Sequence, residues 1–137
     1  MQPVVITVTA TVNAPLAKVW TLWNTPEHIE KWNAASDDWH TPRATSDFRV
    51  GGVFTSRMEA KDGSFGFDFT GVFEEIVINE KVVYSIADGR KVNITFQVEG
   101  ESVIVTEKFE AENQNSIELQ QQGWQAILNN FKKCAEQ

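Results

Sequence analysis

The sequence is poor in the side chains that bind metals or form disulfide bonds, because its 137 residues include one cysteine and two histidines. Cys134 has no second cysteine to pair with, and a lone free thiol is typical of a protein in a reducing compartment. His28 and His40 lie in different predicted elements, and neither has a further ligand at a metal-binding spacing. We therefore expect no metal ion and no other cofactor.

The sequence also lacks the short motifs of nucleophilic and nucleotide-dependent enzymes. Residues 62–66 come nearest to a Gly-x-Ser-x-Gly motif, but they begin with aspartate instead of glycine. No glycine-rich loop of the phosphate-binding type is present in the sequence. Enzymes with a serine nucleophile, zinc enzymes and nucleotide-dependent enzymes are therefore disfavoured.

Positive charge is scarce as well. Twelve Lys and Arg residues face nineteen Asp and Glu residues, which gives a net charge of -7, and such a surface repels phosphate backbones. No stretch of 18 apolar residues occurs, and the N-terminus has neither a basic region nor a long apolar run. We expect a cytoplasmic protein with no nucleic-acid partner and no membrane insertion.

Apolar side chains are abundant: they make up 42% of the chain and include five Trp and nine Phe. No Pro/Gly/Ser-rich linker and no internal repeat divides the sequence. The length and composition predict one domain, residues 1–137, with a packed core.

The N-terminal third predicts one strand followed by two short helices. Residues 4–12 are β-branched and alternate in the manner of a strand. Pro15 and Pro26 each stand at the first turn of a predicted helix, where a missing N–H costs nothing. Residues 33–47 have no clean periodicity and predict a loop, with at most a short strand.

Residues 48–110 predict about six antiparallel strands joined by tight turns. Asp62-Gly63 and Asp88-Gly89 are hairpin signals, because these residues accept positive φ angles. One return strand has a strict period of two, with phenylalanine at residues 65, 67, 69 and 73 on a single face. Such strands form a sheet with one face against a core and one face in water.

The last twenty-two residues predict a long amphipathic helix. Asn115 and Glu118 resemble a capping box at its start, and Lys132 and Lys133 suit the helix dipole at its end. The apolar residues recur at steps of three and four: Ile117, Leu119, Trp124, Ile127, Leu128 and Phe131. The predicted fold is α+β, with one long helix laid across a curved sheet of six to seven strands and a space between them.

Several sequence pieces, in this order and spacing, resemble the START-like (SRPBCC) superfamily with its helix-grip fold. The branch that they resemble is that of the activator-of-Hsp90-ATPase-homology and CalC-like proteins, and the match covers essentially the whole chain. The pieces are Ala14-Pro15 with Val19-Trp20, Pro26-Glu27-His28 with Trp32-Asn33, Asp38-Trp39-His40-Thr41-Pro42, Arg49-Val50-Gly51-Gly52 with Phe54, Asp62-Gly63, Gly71, Asp88-Gly89-Arg90-Lys91-Val92, and Gln122-Gly123-Trp124 with Ile127-Leu128-Phe131.

The resemblance implies an antiparallel sheet of the seven-stranded type that grips the C-terminal helix around an apolar cavity. It implies no single activity, since relatives include lipid and hormone carriers, polyketide cyclases, self-sacrificing resistance proteins and Hsp90 co-chaperones. The 137 residues do not include the second domain with which the eukaryotic co-chaperone clamps its partner. This speaks against direct activation of Hsp90.

Our first functional hypothesis is a non-catalytic binding protein, a monomer or weak dimer, for a small apolar or aromatic molecule in stress or metabolite handling. Residues 33–47 would be its gate. The predicted ligand-binding residues are Trp39, His40, Phe54, Met58, Phe67, Phe69, Tyr84, Phe96, Trp124, Ile127, Leu128 and Phe131.

Two alternatives stay open. An enzyme of the cyclase or hydratase kind would need an acid or base in the pocket, for which Glu107 and His40 are the candidates. Glu107 is buried if Val103, Val105 and Phe109 face inward, and it is solvated if the strand has the opposite parity. A co-chaperone-type interaction module would need an exposed apolar patch outside the cavity.

Gly123 is unusual because it lies inside the predicted helix next to Trp124, where glycine costs roughly 1 kcal/mol relative to alanine. Close approach of a strand would explain it, and so would a gap that faces a ligand. Both explanations remain open at the level of the sequence.

Overall fold

The computed structural model describes residues 4–137; residues 1–3, which the single-domain prediction includes, lie outside this range. Within it, seven strands and three helices follow one another along the chain. They are β1 (Val5–Val12), α1 (Leu16–Asn24), α2 (Pro26–Trp32), β2 (Trp39–Ser46), β3 (Val53–Ala60), β4 (Gly66–Val77), β5 (Lys81–Ile86), β6 (Lys91–Glu99), β7 (Ser102–Glu110) and α3 (Ile117–Ala135).

The strands form one curled, antiparallel sheet in the order β1-β7-β6-β5-β4-β3-β2. Gly63, Gly89 and Gly100 have positive φ angles at the tight turns between neighbouring strands, where a side chain would be strained. The two helices α1 and α2 carry the chain from β1 at one edge to β2 at the other. This confirms the predicted α+β helix-grip architecture.

The edge strand β2 corrects one prediction. A loop with at most a short strand was expected in this region, yet residues 39–46 form a strand of eight residues that pairs with β3, with a register shift between His40 and Arg43. The shift interrupts the period of two, so this strand has no regular alternation of polar and apolar residues. The segment before it, residues 33–38, remains without helix or strand.

The long helix α3 lies on the concave face of the sheet, close to the β1 edge. Side chains of Gln121, Gln125 and Lys132 donate hydrogen bonds to the backbone carbonyl oxygens of residues 7, 9 and 11, at 3.4, 3.0 and 2.7 Å. An edge strand offers unpaired backbone groups to other chains. The helix therefore covers this edge and is held against it.

The start of α3 differs from the prediction by one residue. Ser116 is the N-cap, and its side chain accepts a 3.0 Å hydrogen bond from the backbone N–H of Leu119. The backbone N–H of the predicted cap, Asn115, instead donates to the side chain of Glu112. Ser and Asn are both favourable at this position, so composition alone does not distinguish them.

The other sheet edge is covered by α2. The backbone N–H of Ala44 in β2 donates to the Glu30 carboxylate at 3.1 Å, and the hydroxyl of Thr41 donates to the carbonyl of Asn33 at 2.6 Å. The helix α2 is thereby fixed over the β2 end of the sheet. As a result, α2 covers the β2 edge and α3 covers the β1 edge, and the two helices meet where Trp32 contacts Phe131.

The core is densest between α3, α1 and the strands β1, β7 and β6. Leu128 and Phe131 have no exposed surface, and neither does Val105 of β7. The ring of Phe131 lies 4.8 Å from that of Trp23 and 4.9 Å from that of Trp32, both edge to face. Full burial of such a side chain stabilises the fold by about 1.5–3 kcal/mol.

Candidate functional site

A cavity of about 240 Å³ lies between α2, α3 and the inner face of strands β2 to β7. This volume is slightly below the roughly 300 Å³ at which typical ligand pockets begin, so it suits a molecule of one or two rings. The lining residues are Trp23, Asn24, Ile29, Trp32, Asn33, Thr45, Ser46, Phe54, Ser56, Met58, Phe67, Phe69, Phe73, Val82, Tyr84, Ile94, Glu107, Trp124 and Ile127.

Aromatic side chains form most of the wall, and they hold one another in place. Trp124 of α3 stacks on Phe109 of β7 with ring centroids 3.9 Å apart, and its edge contacts Phe69 of β4. On the opposite wall, Trp23 and Trp32 stack at 4.9 Å. Offset-stacked and edge-to-face pairs contribute about 0.5–1.5 kcal/mol each beyond their buried area. The cavity is therefore rigid-walled before any ligand enters.

Glu107 of β7 is a carboxyl group inside this apolar wall. Its side chain is 4% exposed and shares the inward face with Val103, Val105 and Phe109. Burial raises the pKa of Glu107 from its ordinary value of 4.5 to about 8, because the charged form loses its hydration. Among residues 4–137, no Lys, Arg or His lines the cavity to compensate that charge.

Tyr84 of β5 brings a second polar group to the wall. It is 8% exposed, and its pKa is raised well above the usual 10 by burial and by the negative charge of Glu107. The phenol therefore keeps its proton at physiological pH. Tyr84 and Glu107 together give the cavity two oxygen groups that can donate or accept a hydrogen bond.

Five shorter polar side chains complete the lining: Asn24, Asn33, Thr45, Ser46 and Ser56. Asn24 uses its side-chain NH₂ group to donate to the carbonyl of Trp20 at 3.0 Å, which leaves its side-chain oxygen for a ligand. A small number of polar groups in an apolar wall fixes the orientation of a ligand.

Comparison with known proteins identifies the family. The family model described as "Activator of Hsp90 ATPase homolog 1-like protein" (AHSA1) matches residues 13–136. The chain belongs to the AHSA1 family.

Solved structures agree with this assignment. An AHSA1-like protein from Aeromonas hydrophila is 43% identical, with a TM-score of 0.92 over 97% of this chain and 92% of the other. A protein from Cytophaga hutchinsonii is 52% identical, with a TM-score of 0.82 over 93% of this chain and 89% of the other.

A more distant structure shows the same fold. The Aha1 dimer from Colwellia psychrerythraea is 14% identical, with a TM-score of 0.77 over 97% of this chain and 96% of the other. At that identity the likeness concerns the fold alone. A search of curated proteins finds no match.

The described residues contain neither a membrane-spanning helix nor a metal-binding cluster. Within residues 4–137, no helix has the length and apolar character needed to cross a bilayer. The same residues place no three His, Cys, Asp or Glu side chains where they would hold a metal ion.

In this AHSA1 family member, many of the residues predicted from the sequence meet at the cavity. Glu107, the candidate acid or base, lies in the wall, and its side chain points inward together with those of Val103, Val105 and Phe109. The predicted ligand-binding residues that line the cavity are Phe54, Met58, Phe67, Phe69, Tyr84, Trp124 and Ile127.

Trp39 and His40 do not line the cavity. Trp39 pairs with Ala60, the last residue of β3. Ala60 is the next inward-facing residue after Met58, which is the last residue of β3 in the cavity wall. Trp39 therefore lies beyond the cavity, at the tip of the β3–β4 hairpin. His40 pairs with Glu59 on the outer face, with its Nε2 3.9 Å from the Glu59 carboxylate. The register of β2 places both residues away from the cavity. A sequence without periodicity does not reveal that register.

Phe96, Leu128 and Phe131 are also absent from the wall. Phe96 contacts Trp20 and Trp23 of α1, at centroid distances of 5.2 and 5.8 Å, and is part of the packed core. Leu128 and Phe131 lie in the same packed region. Their helical spacing predicts an inward face correctly, but it does not tell a filled interior from an empty one.

The wall residues of α1 and α2 were missed by the sequence analysis. Trp23 is the next-to-last residue of α1 and Trp32 is the last residue of α2, and neither was named as a ligand-binding residue. Ser56 shares the alternation of Phe54 and Met58, so its inward position was open to prediction. The others missed were Asn24, Ile29, Asn33, Thr45, Ser46, Phe73, Val82 and Ile94.

A small aromatic patch lies outside the cavity at the tip of the β3–β4 hairpin. Its members are Trp39, Phe65 and Phe67, with ring centroids 6.0 to 6.3 Å apart. Phe65 is 62% exposed and Phe67 is 40% exposed. We call these three residues the hairpin patch; Phe67 belongs to it and to the cavity wall.

Gly123 has open space around it. A Cβ atom placed on this residue would meet nothing within 4 Å outside its own helix. No strand therefore approaches the helix closely at this point, and the first of the two explanations for the glycine is wrong.

Proposed function

We propose that this chain binds a small apolar or aromatic molecule in the cavity between the sheet and α3. Binding leaves the ligand chemically unchanged and serves stress or metabolite handling in the cytoplasm, with the protein as a monomer or weak dimer. The observation that carries the proposal is the cavity of about 240 Å³ with preformed aromatic walls.

The energetics favour such a ligand. Each Å² of apolar surface removed from water contributes about 25 cal/mol, and a preformed wall loses little conformational freedom on binding. The rings of Trp23, Trp32 and Trp124 are already held by their neighbours. Little of the gain from burial is therefore lost to ordering these side chains.

The gate lies in residues 33–47, from which Asn33, Thr45 and Ser46 reach the wall. Residues 39–46 are bound into the sheet through β3. Residues 33–38 lie outside the strands and are held by isolated hydrogen bonds, such as that from the Lys61 N–H to the Asp38 carbonyl at 2.8 Å. Segments with few such hydrogen bonds open at a lower free-energy cost. We place the moving part of the gate at residues 33–38.

Tryptophan fluorescence tests the proposal. Three of the five tryptophans line the cavity, so a bound aromatic or lipid-like compound changes their emission. We expect saturable quenching by members of a compound panel. Native mass spectrometry of the protein from its own host then identifies any ligand that co-purifies.

A cavity-filling variant sharpens this test. Ser56→Leu places an apolar side chain in the wall from a residue that is 5% exposed, and we expect it to abolish quenching. Ser85→Leu is the matched control, because Ser85 alternates with the inward residues of β5 and faces away from the cavity. Equal binding by both variants and the unmodified protein would place the ligand elsewhere.

Glu107 supports a second candidate, an enzyme of the cyclase or hydratase kind. A carboxyl with a pKa of about 8 inside a cavity is suited to general acid–base catalysis near neutral pH. Glu107→Gln would then abolish turnover and leave ligand affinity unchanged. A panel compound that is converted by the unmodified protein but not by this variant would favour the enzyme.

The hairpin patch supports the interaction alternative, which needs exposed apolar surface. Phe65 is its most exposed member and lies outside the cavity wall. If the chain is a co-chaperone-type module, Phe65→Ser weakens association with added Hsp90 and leaves quenching by small compounds unchanged. Fluorescence that responds to Hsp90 and to no small compound would support this alternative.

A further inference from the structure

The ionisable side chains described in the cavity wall are all acidic. Among the lining residues that the structure describes, Glu107 and Tyr84 titrate, and no Lys, Arg or His is present. The strand neighbours of Glu107 are Val8 on β1 and Ile94 on β6, and Trp124 and Ile127 face the cavity from α3. The carboxyl thus lies in an apolar environment without a cationic partner.

Burial of an unpaired carboxylate is unfavourable, and a cation that enters the site offsets that cost. Among residues 4–137, no hydrogen bond to the Glu107 carboxyl group contributes to its pKa, which burial alone raises. Its oxygens are therefore free to receive donors from a ligand.

The walls favour a cation as well. Aromatic faces carry negative electrostatic potential and attract ammonium groups within about 6 Å of the ring centre. Trp23, Trp32, Phe69, Tyr84 and Trp124 all contribute rings to the lining. A carboxylate and several aromatic faces around one cavity make a site for an organic cation with an apolar body.

We propose that the ligand is a small aromatic amine, whose ammonium group pairs with the Glu107 carboxylate while its ring lies among the aromatic walls. This proposal deepens the proposed function and rests on it. The one bond that breaks is the O–H bond of the protonated Glu107 carboxyl group, whose proton passes to the solvent, because the amine enters and leaves as an ammonium ion.

The proton balance gives a measurable signature. With its pKa at about 8, Glu107 carries a proton in about nine of ten free molecules at pH 7. Binding of an ammonium ion requires the carboxylate, so that proton passes to the solvent. Tyr84 keeps its proton throughout, because its pKa lies well above 10.

Isothermal titration calorimetry with three matched probes tests the proposal: 3-phenylpropylamine, 3-phenylpropan-1-ol and 3-phenylpropionate. At pH 8.5 we expect the amine to bind roughly 30-fold more tightly than the alcohol, as for a buried charge pair, and the acid to bind most weakly. At pH 7, titrations in buffers of different ionisation enthalpy should show release of about 0.9 proton per amine and none per alcohol. Amine affinity should fall about tenfold between pH 7 and pH 6.

Glu107→Gln and a matched control assign the effect to this side chain. In Glu107→Gln the preference for the amine and the proton release should disappear, while the alcohol binds within threefold of its original affinity, which also shows that the cavity is intact. Glu99→Gln changes an exposed carboxylate of β6 outside the cavity, and it should behave as the unmodified protein.

Two results overturn the proposal. If the alcohol or the acid binds as tightly as the amine, or Glu107→Gln keeps the amine preference, the ligand is not held by this charge, although the proposed function stands. If none of the three probes binds, the amine proposal also fails, and the panel titration with Ser56→Leu decides separately whether the cavity binds any small molecule.

Discussion

The two ends of the concave face differ in how they are filled. At the end formed by β1, β7 and β6, side chains such as Val105, Leu128 and Phe131 have no exposed surface. At the end formed by β3 and β4, Phe54 and Phe69 are only partly buried, and Phe67 is 40% exposed. Both ends are rich in apolar residues. The cavity therefore results from shape and not from a shortage of hydrophobic side chains.

The position of α3 explains this difference. Its 19 residues form a straight segment about 28 Å long, and its glutamine and lysine side chains tie it to the backbone of β1. Strands β3 and β4 curl away from that edge, and β4 reaches the helix through the edge contact of Phe69 with Trp124. A helix held at one end of a curled sheet does not fill the space at the other end, where α2 forms part of the cavity wall.

The largest expected effect is the difference in stability loss when a phenylalanine is truncated at each end. Phe131→Ala should lower the free energy of unfolding by about 3–5 kcal/mol, because it opens a hole in a close-packed region. Phe69→Ala should cost well under half as much, because this ring already borders empty volume. Urea denaturation of both variants measures the two values. Equal losses would mean that the two ends are packed alike.

The second effect concerns the pH dependence of stability. The pKa of Glu107 is about 8 in the folded protein and near 4.5 in the unfolded chain, so the folded state binds more protons between these values. The free energy of unfolding should therefore be highest below pH 4.5 on account of this group and decrease as pH rises towards 8. Between pH 5 and pH 7.5 the decrease should be on the order of 3 kcal/mol.

Glu107→Gln isolates that contribution. Glutamine has the shape of the protonated carboxyl group and does not ionise, so the variant should lose this part of the pH dependence and be the more stable protein at pH 7.5. Urea midpoints at several pH values, compared with those of Glu99→Gln, check the prediction. Parallel pH profiles for Glu107→Gln and the unmodified protein would show that the carboxyl is solvated.

Most of the fold was predictable from local patterns. Periods of two with Asp-Gly turns predict the hairpins, and the steps of three and four predict α3, because side-chain direction repeats with the backbone. Strand β2 was not predictable, since its register shift removes the alternation that identifies a strand. The resemblance to a known family supplied the arrangement of these elements in space.

The site was predictable only in part, for a physical reason. Periodicity tells which side chains face inward, and so it places Phe54, Met58 and Tyr84 on the inner face. Whether an inward residue meets another side chain or a cavity depends on where α3 rests along the sheet. That position follows from long-range hydrogen bonds, such as Gln125 to Thr9, which no local pattern contains.

The cap of α3 offers a smaller test, at the start of the helix. Ser116→Ala removes the side-chain acceptor for the Leu119 N–H and should cost about 1 kcal/mol of stability. Asn115→Ala, at the residue that the sequence favoured as cap, should change stability by less than about 0.5 kcal/mol. Thermal unfolding measures both variants. A reversed order would restore Asn115 as the cap.

Gly123 provides the smallest test, at the residue of α3 before Trp124 of the cavity wall. Since a Cβ atom here would meet nothing within 4 Å, Gly123→Ala gains helix propensity without a clash and should stabilise the protein by about 0.5–1 kcal/mol. Ala126→Gly, three residues later in α3, is the reciprocal control and should destabilise it by a similar amount. Urea denaturation compares them. Destabilisation by Gly123→Ala would mean that a strand does approach the helix at this residue, as the first explanation for the glycine required.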